Sequence, residues 1–599
     1  MKYLVSEKFL FLPMDLREAK MKGWDYLDVI LITGDAYVDH PAFGAAVIGR
    51  VLENIGLKVG IISQPQDQED YTCLGTPRLF FGITAGNLDS MLSNYTPLKK
   101  KRDRDVYSPG GKVGLRPDRA IIHYTNKVKK FFKKIPIIIG GIEASLRRFV
   151  HYDYWDNKLR RSILFDSKAN LLVYGMGEKP IIQVAKDLKN GKSINELQNI
   201  RGTCVKIKSP PKNALYLPSY SDLKSENDKL IDAFLLIHKN SNPYTAKPLV
   251  QLQDNLFLLQ NLPILPLKSS ELDNIYELPY QYKPHPKYKE EIPAFKTVVN
   301  SIITHRGCFG DCNFCSLTIH QGKIIQDRSI ESVIREIKRI SKLDSFHGTI
   351  SDLGGPSAEM FGLDCKIKKY CTDKSCLLPE ICPHLVIDFS KFKLLLNKAR
   401  KIPGIKHIFI SSGFRFDLLL EDKEFLEELL RDHISGQLKI APEHIIDYIT
   451  VKMMNKVSSK KFFTFYKQFK EITKMIGKKI FLVPYWMSAH PGTSLEHQIK
   501  LAEFLKKNNL YVKQTQTFTP TPMTASTCMY FTGKDLNKNK IHVPYTFKEK
   551  KLQKSLLHFK DPKQYDKIRE ALKLCKREDL IGSHKNALIK NITKKKNHS

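Results

Sequence analysis

Short apolar runs alternate with helical patterns twice along this 599-residue chain, and no other feature constrains the fold as tightly. From Asp28 to Ala185 the runs are "DVILIT", "KVGIIS", "RLFFGIT", "IPIIIGG" and "NLLVYGMGE", with a helix expected from Pro41 to Leu57. Strand and helix in turn predict a doubly wound parallel sheet, which binds ligands where its strands end, here at "TGDAYVDHPAFG" and "GGIEAS". The pattern weakens over 189–294, a Pro-, Ser- and Lys-rich stretch read as a connector. It returns at Phe295 as "TVVNSIIT", "HGTISDLGG", "IKHIFISSG", "GQLKIAPEH", "KKIFLVPYWM" and "YVKQTQTFTPTP". Six strands, all but the last followed by a helix, predict a partial (β/α)6 barrel with its active site at the strand ends. The expected α/β organisation is therefore a doubly wound domain at 1–188, the connector at 189–294, a barrel at 295–530 and an extension at 531–599 with a mobile basic tail.

Composition narrows the setting. With 42% hydrophobic and 27% charged residues the chain is globular, and no apolar run approaches the length that spans a bilayer. Eleven cysteines, an odd number with seven of them bunched in two places, do not look like a secreted disulfide framework, so a cytoplasmic location and a metal are expected. The net charge of +35 would suit nucleic acid, but the lysines are scattered, and only "HKNALIKNITKKKNHS" is a concentrated basic tract. Weak, nonspecific nucleic-acid binding is the expectation.

The first bunch, "HRGCFGDCNFCSLTIHQGK", sets Cys308, Cys312 and Cys315 at C-x3-C-x2-C. Thiolates are soft ligands for iron–sulfur clusters, and three leave one iron of a [4Fe–4S] unit open to an outside chelator. The amino and carboxylate groups of S-adenosylmethionine suit that position. A zinc knuckle would need a fourth ligand, His305 or His320; the place after the first barrel strand favours the cluster.

At these residues the chain resembles the radical S-adenosylmethionine (radical SAM) superfamily. It is similar more closely to the YgiQ-type radical SAM proteins, through "DAYVDHPAFG", "LPYQYKPHP", "RGCFGDCNFC", "SDLGGPSAEM", "CPH" and "LKIAPEH". One departure is Asp311, where glycine is more usual; it removes no ligand. The resemblance implies that Cys308, Cys312 and Cys315 bind the cluster and that the Phe314 backbone lies near the adenine. It places Gly354 and Gly355 at the methionyl amino group, and Ser411, Ser412, Arg415 and Glu443 at the methionyl carboxylate and ribose. It also implies an electron donor such as flavodoxin or ferredoxin. His444 and His490 receive no role.

The first domain resembles the cobalamin-binding domain of many radical SAM enzymes, through "IIIGGIEAS" and "GMGE". The histidine-ligating motif there is D-x-H-x-x-G, whereas Asp39 and His40 are adjacent and Gly44 lies four residues on. Two readings follow, cobalamin without a histidine ligand or a domain that has lost the cofactor; the second is the expectation. The other bunch, Cys365, Cys371, Cys376 and Cys382, lies in an enlarged loop after the second barrel strand, and an auxiliary iron–sulfur cluster, a zinc site and free thiols all remain open for it. The function expected is reductive cleavage of S-adenosylmethionine to a 5′-deoxyadenosyl radical acting on an unidentified substrate. The alternatives are an RNA-modifying methyltransferase or methylthiotransferase, and a non-catalytic iron–sulfur or nucleic-acid-binding protein.

Overall fold

A computed structural model describes residues 10–591 apart from 373–374, 511 and 513–514. The first alternation folds into a nine-stranded sheet. In chain order its strands are β1 (Val29–Thr33), β2 (Val59–Ser63), β3 (Phe80–Thr84), β4 (Ile137–Gly140), β5 (Leu171–Val173), β6 (Thr203–Ile207), β7 (Leu215–Leu217), β8 (Leu249–Gln253) and β9 (Leu256–Gln260). Across the sheet they run 2-1-3-4-5-6-9-8-7, and β1 to β5 are mutually parallel. Buried on both faces, parallel strands need apolar side chains on both. Val29 and Leu31 of β1 join the core with Val47 and Val51 of the helix Gly44–Asn54, while Ile30 and Ile32 join Ile121 and Tyr124 of the helix Ala120–Phe131. The doubly wound reading therefore holds. The order reverses between β1 and β3, the position at which such sheets open a crevice.

The stretch 189–294 is more than the connector its composition suggested. It adds β6 to β9 to the same sheet, with β6 antiparallel to both β5 and β9. The strands were hidden because several inward positions are polar: Gln251, Gln253 and Gln260 are buried. Their side-chain oxygens accept hydrogen bonds from the Val150 and Ser162 backbone N–H groups and from Arg148, at 2.9, 2.7 and 2.6 Å. Apolar alternation cannot register such residues.

The second alternation supplies parallel strands in chain order: β10 (Ser301–Ile303), β11 (Thr349–Ile350), β12 (Asp352–Gly354), β13 (His407–Ile408), β14 (Gln437–Glu443), β15 (Phe481–Ser488) and β16 (Thr515–Thr517). β10 pairs with β12, β11 with β13, β14 with β15 and β15 with β16, and a parallel bridge from Phe414 to Ile440 joins the third barrel position to the fourth. β11 and β12 together are the second barrel strand, so the six expected positions are filled. Helices Ile330–Ile340, Ser390–Arg400, Ser459–Met475 and Leu495–Lys507 cover the outside.

The extension is folded well into the expected tail. Helices Phe547–Leu557 and Tyr565–Leu574 bury Leu556 and Ile568, and Ala587, Leu588 and Ile589 of the basic tract are buried too. Apolar residues between the lysines give that part of the tract a surface to bury; 592–599 lie outside the described residues.

Candidate active site

The C-x3-C-x2-C loop leaves the barrel just beyond β10. Its glycines are dictated by space. Gly307 has φ +89° and a Cβ there would lie 2.4 Å from the Ile324 carbonyl oxygen; one on Gly310 would lie 2.8 Å from Arg415 Nη1 and 3.2 Å from Cys308 Sγ. Cys308, Cys312 and Cys315 are half-buried. The Gly310 N–H donates to Cys308 Sγ at 3.3 Å, and the Arg415 guanidinium donates to Cys312 Sγ at 3.7 Å. Burial pushes the Cys308 thiol up to about 11 and Cys315 up to about 12, so a bound cation is what would make thiolates of them at neutral pH. Three soft donors, space kept by glycine and an arginine facing the sulfurs fit an iron–sulfur cluster.

Around this loop the structure gathers most of the residues singled out from the sequence. Phe314 lies edge-on to His490 and under the Lys456 ammonium, 5.9 Å from its ring centre. Glu443 ends β14 with φ +64° and stands 3.6 Å from Lys456; burial raises its pKa and Lys456 opposes the rise. Gly354 and Gly355 end β12, where a Cβ on Gly354 would lie 2.6 Å from Ser412 Oγ and one on Gly355 2.5 Å from the His305 ring. The Gly354 carbonyl already accepts the Thr304 N–H at 2.8 Å. Ser411 and Ser412 both give their N–H to Asp352 Oδ1, at 2.8 and 3.0 Å, and the Ser412 hydroxyl donates to Asp352 Oδ2 at 2.6 Å. The two serines hold a carboxylate that sequence reading passed over.

Glu359 was also missed. It is fully buried; its Oε1 accepts the Arg415 N–H at 3.1 Å and the Ser357 hydroxyl at 2.8 Å, while Oε2 has no hydrogen-bond partner among the described residues. Burial raises it to about 7 against those bonds and the Arg415 charge. Asp352 and Glu359 both lie within "SDLGGPSAEM", so a signal existed; Lys456 had none.

A cavity of about 570 Å³ runs from this end of the barrel to the carboxyl edge of the doubly wound sheet. Asp352, Gly355 and Ser412 line one wall, and Thr84, Asn87 and Gly141 the other. The domains are tied there by Arg306 with Glu178 at 2.7 Å and by His320 Nδ1 with Ser145 Oγ at 3.0 Å. His40 is not in the wall. Its ring is buried edge-on to Tyr282, its Nδ1 accepts the Ala42 N–H at 3.0 Å, and burial lowers it to about 3. Asp39 is bound to Arg50. This pair does not fit a histidine-ligated corrinoid.

Asp311 ties the thiol loop to its surroundings. Its carboxylate accepts from Lys323 Nζ at 2.8 Å and pairs with His238 Nε2 at 2.9 Å. Burial alone would raise it; the His238 hydrogen bond and the Lys323 charge override that and hold it below the usual carboxylate range. Cys365, Cys371, Cys376 and Cys382 stand nearby, all half-buried and none in a disulfide.

A doubly wound domain set on a partial barrel with this thiol loop is the architecture of a radical SAM enzyme. Residues 11–301 match the Radical SAM N-terminal family, and residues 513–599 match a domain of unknown function, DUF3362. A UPF0313 protein of Methanocella arvoryzae is 48% identical over 581 residues, covering 96% of this chain and 97% of that protein. Another, from Clostridium botulinum, is 48% identical over 591 residues, with 97% and 92% covered. The chain belongs to the UPF0313 family, the YgiQ-type radical SAM proteins. Among solved structures, the radical S-adenosylmethionine methyltransferase TsrM of Kitasatospora setae, with tryptophan substrate and the analog aza-SAM bound, shares the fold. The TM-score is 0.50 at 14% identity, over 84% of this chain and 77% of that one. No helix among the described residues is long and apolar enough to cross a membrane.

Proposed function

We propose that this enzyme cleaves S-adenosylmethionine reductively and directs the resulting 5′-deoxyadenosyl radical at a substrate held in the cavity between barrel and doubly wound sheet. The observation that carries the reading is the half-buried C-x3-C-x2-C loop, with Arg415 on Cys312, opening beside Gly354, Gly355 and Glu443. Cys308, Cys312 and Cys315 would hold the cluster, which would offer an open iron to the amino and carboxylate groups of S-adenosylmethionine and one electron to the sulfonium.

The chain's own residues orient and enclose. Gly355 leaves its backbone open to the methionyl end, the Ser412–Asp352 pair presents a carboxylate to an ammonium, and Arg415 balances the thiolate charge. Glu443 and Lys456 form the polar wall toward the ribose, with Phe314 beside the adenine. The electron comes from a donor such as flavodoxin or ferredoxin, and the substrate class is left open. A methyl-transfer outcome is the second reading, favoured by the cavity that both domains line. Neither reading calls on a histidine-ligated corrinoid, because the Asp39–His40 pair does not fit one.

Anaerobic incubation with S-adenosylmethionine and dithionite tests the reading. 5′-Deoxyadenosine should form with the intact chain and not with Cys308→Ala, Cys312→Ala or Cys315→Ala. Product from all three variants would sink it.

A further inference from the structure

Between β12 and the helix Ser390–Arg400 the chain makes a long excursion whose ends meet in the two-residue antiparallel pair of Asp364–Cys365 with Leu385–Val386. Between Asp364 and Val386 it has little core of its own: among the described residues there, Leu377 and Leu385 are buried, but Tyr370 is 78% exposed. An irregular segment of this length with so few buried apolar groups needs another crosslink to hold one shape.

Four thiols are placed to supply it. Turns bring them together, through the Cys371 N–H on the Ile367 carbonyl at 2.9 Å and the Cys382 N–H on the Cys376 carbonyl at 2.9 Å, and Cys365 and Cys376 each lie within electrostatic reach of the other three. The excursion is docked rather than loose, since Asn242 Nδ2 donates to the carbonyls of Lys368 and Cys371 at 3.0 and 2.7 Å. It faces the first thiol loop. Cys365, Cys371 and Cys376 share a cavity of about 200 Å³ with Phe309, His238 and Lys323, and Lys323 Nζ is the group bound to Asp311 of that loop.

We propose that Cys365, Cys371, Cys376 and Cys382 hold a second iron–sulfur cluster beside the first thiol loop. Zinc is the competing occupant, and the spacing favours the cluster: C-x5-C-x4-C-x5-C contains none of the short pairs that wrap one zinc ion.

Four thiolates would leave no iron open to a substrate, so beyond crosslinking the excursion the chemistry such a site would supply is one-electron transfer: a reduced carrier of the flavodoxin or ferredoxin class would leave oxidised by one electron, the four-thiolate site would relay that electron toward the first cluster, and no atom would be transferred. This use rests on the function proposed above, whereas the site itself does not.

The test reconstitutes three anaerobic proteins with iron and sulfide: the full chain, a Cys308→Ala/Cys312→Ala/Cys315→Ala variant, and a Cys365→Ala/Cys371→Ala/Cys376→Ala/Cys382→Ala variant. Iron, acid-labile sulfide and zinc are measured, together with the low-temperature EPR spectrum after dithionite. The first variant should keep about half the iron and sulfide of the full chain, with a spectrum that S-adenosylmethionine does not shift. The second should keep a spectrum that it does shift. A first variant holding neither iron nor sulfide, or zinc without sulfide, overturns the proposal even if the second variant fails to fold. If the full chain makes no 5′-deoxyadenosine while the first variant keeps its cluster, the function falls and the second site stands.

Discussion

Glu359 is the residue whose chemistry is most exposed to pH. In the unfolded chain it titrates near 4.5 and in the folded chain at about 7, because burial disfavours the carboxylate. The folded state therefore holds an extra proton between those values. Its stabilising effect is complete below about 4.5 and is lost as pH rises through about 7, by at most about 3 kcal/mol. Glu359→Gln should remove that dependence, so urea midpoints of variant and parent, measured at about pH 5 and about pH 8, should diverge; parallel midpoints would refute the assignment. Gly355 makes a different demand. A Cβ there would lie 2.5 Å from the fully buried His305 ring, so Gly355→Ala should cost about 1–3 kcal/mol and weaken S-adenosylmethionine binding, read by thermal melting and equilibrium dialysis. Neither consequence was legible in the residues themselves. The glycine pair was visible as a strand ending, but the ring that fills the space beside it comes from the neighbouring strand end.

Among the elements, the crevice of the doubly wound sheet is held by a polar lattice. Arg116 is fully buried, 2.8 Å from Asp35 after β1 and 3.3 Å from Asp105, and Asp35 also accepts the Asn87 N–H after β3 at 2.7 Å. The loops on both sides of the switch point thus share one guanidinium. Arg116→Leu would leave two buried carboxylates without their counter-charge and should destabilise the chain by about 3–5 kcal/mol, seen as a lower urea midpoint; an unchanged midpoint would mean the lattice is dispensable. Two motifs quoted from the sequence as separate signs of family are one structural unit here. Lys283–Pro284 of "LPYQYKPHP" pairs antiparallel with Val38–Asp39 of "DAYVDHPAFG", and the Gln281 N–H donates to Asp39 at 3.3 Å. That pairing spans more than two hundred residues of sequence, so no local pattern reports it.

Over the whole molecule, the carboxyl-terminal region behaves as part of the fold. Leu588 and Ile589 bury against the same core as the extension's helices, and a stop after Ser583 would expose the surface they cover. At about 1.5–3 kcal/mol for each such side chain, roughly 3–6 kcal/mol is the upper bound on the loss, and the truncated chain should melt earlier. A melting point equal to the parent's would show that these contacts contribute nothing. The charge of +35 should give RNA binding that weakens steeply with salt and lacks sequence preference; tight binding of one RNA at physiological salt would instead favour an RNA-modifying enzyme.

What the sequence by itself determined was whatever is written in local periodicity and spacing. The strands β1 to β5, the six barrel positions and the three thiols at C-x3-C-x2-C all fall under that heading, because a buried parallel strand is a continuous apolar run and a cluster loop is a few residues long. Tertiary structure alone decided the rest. It turned His40 into the core, enlisted inward-facing glutamines in β8 and β9, brought Glu359 to Arg415, and set the four-cysteine excursion across a cavity from the first thiol loop. Each of these joins residues far apart in the chain through burial and hydrogen bonding, and both depend on which elements pack together, not on the residues' own neighbours.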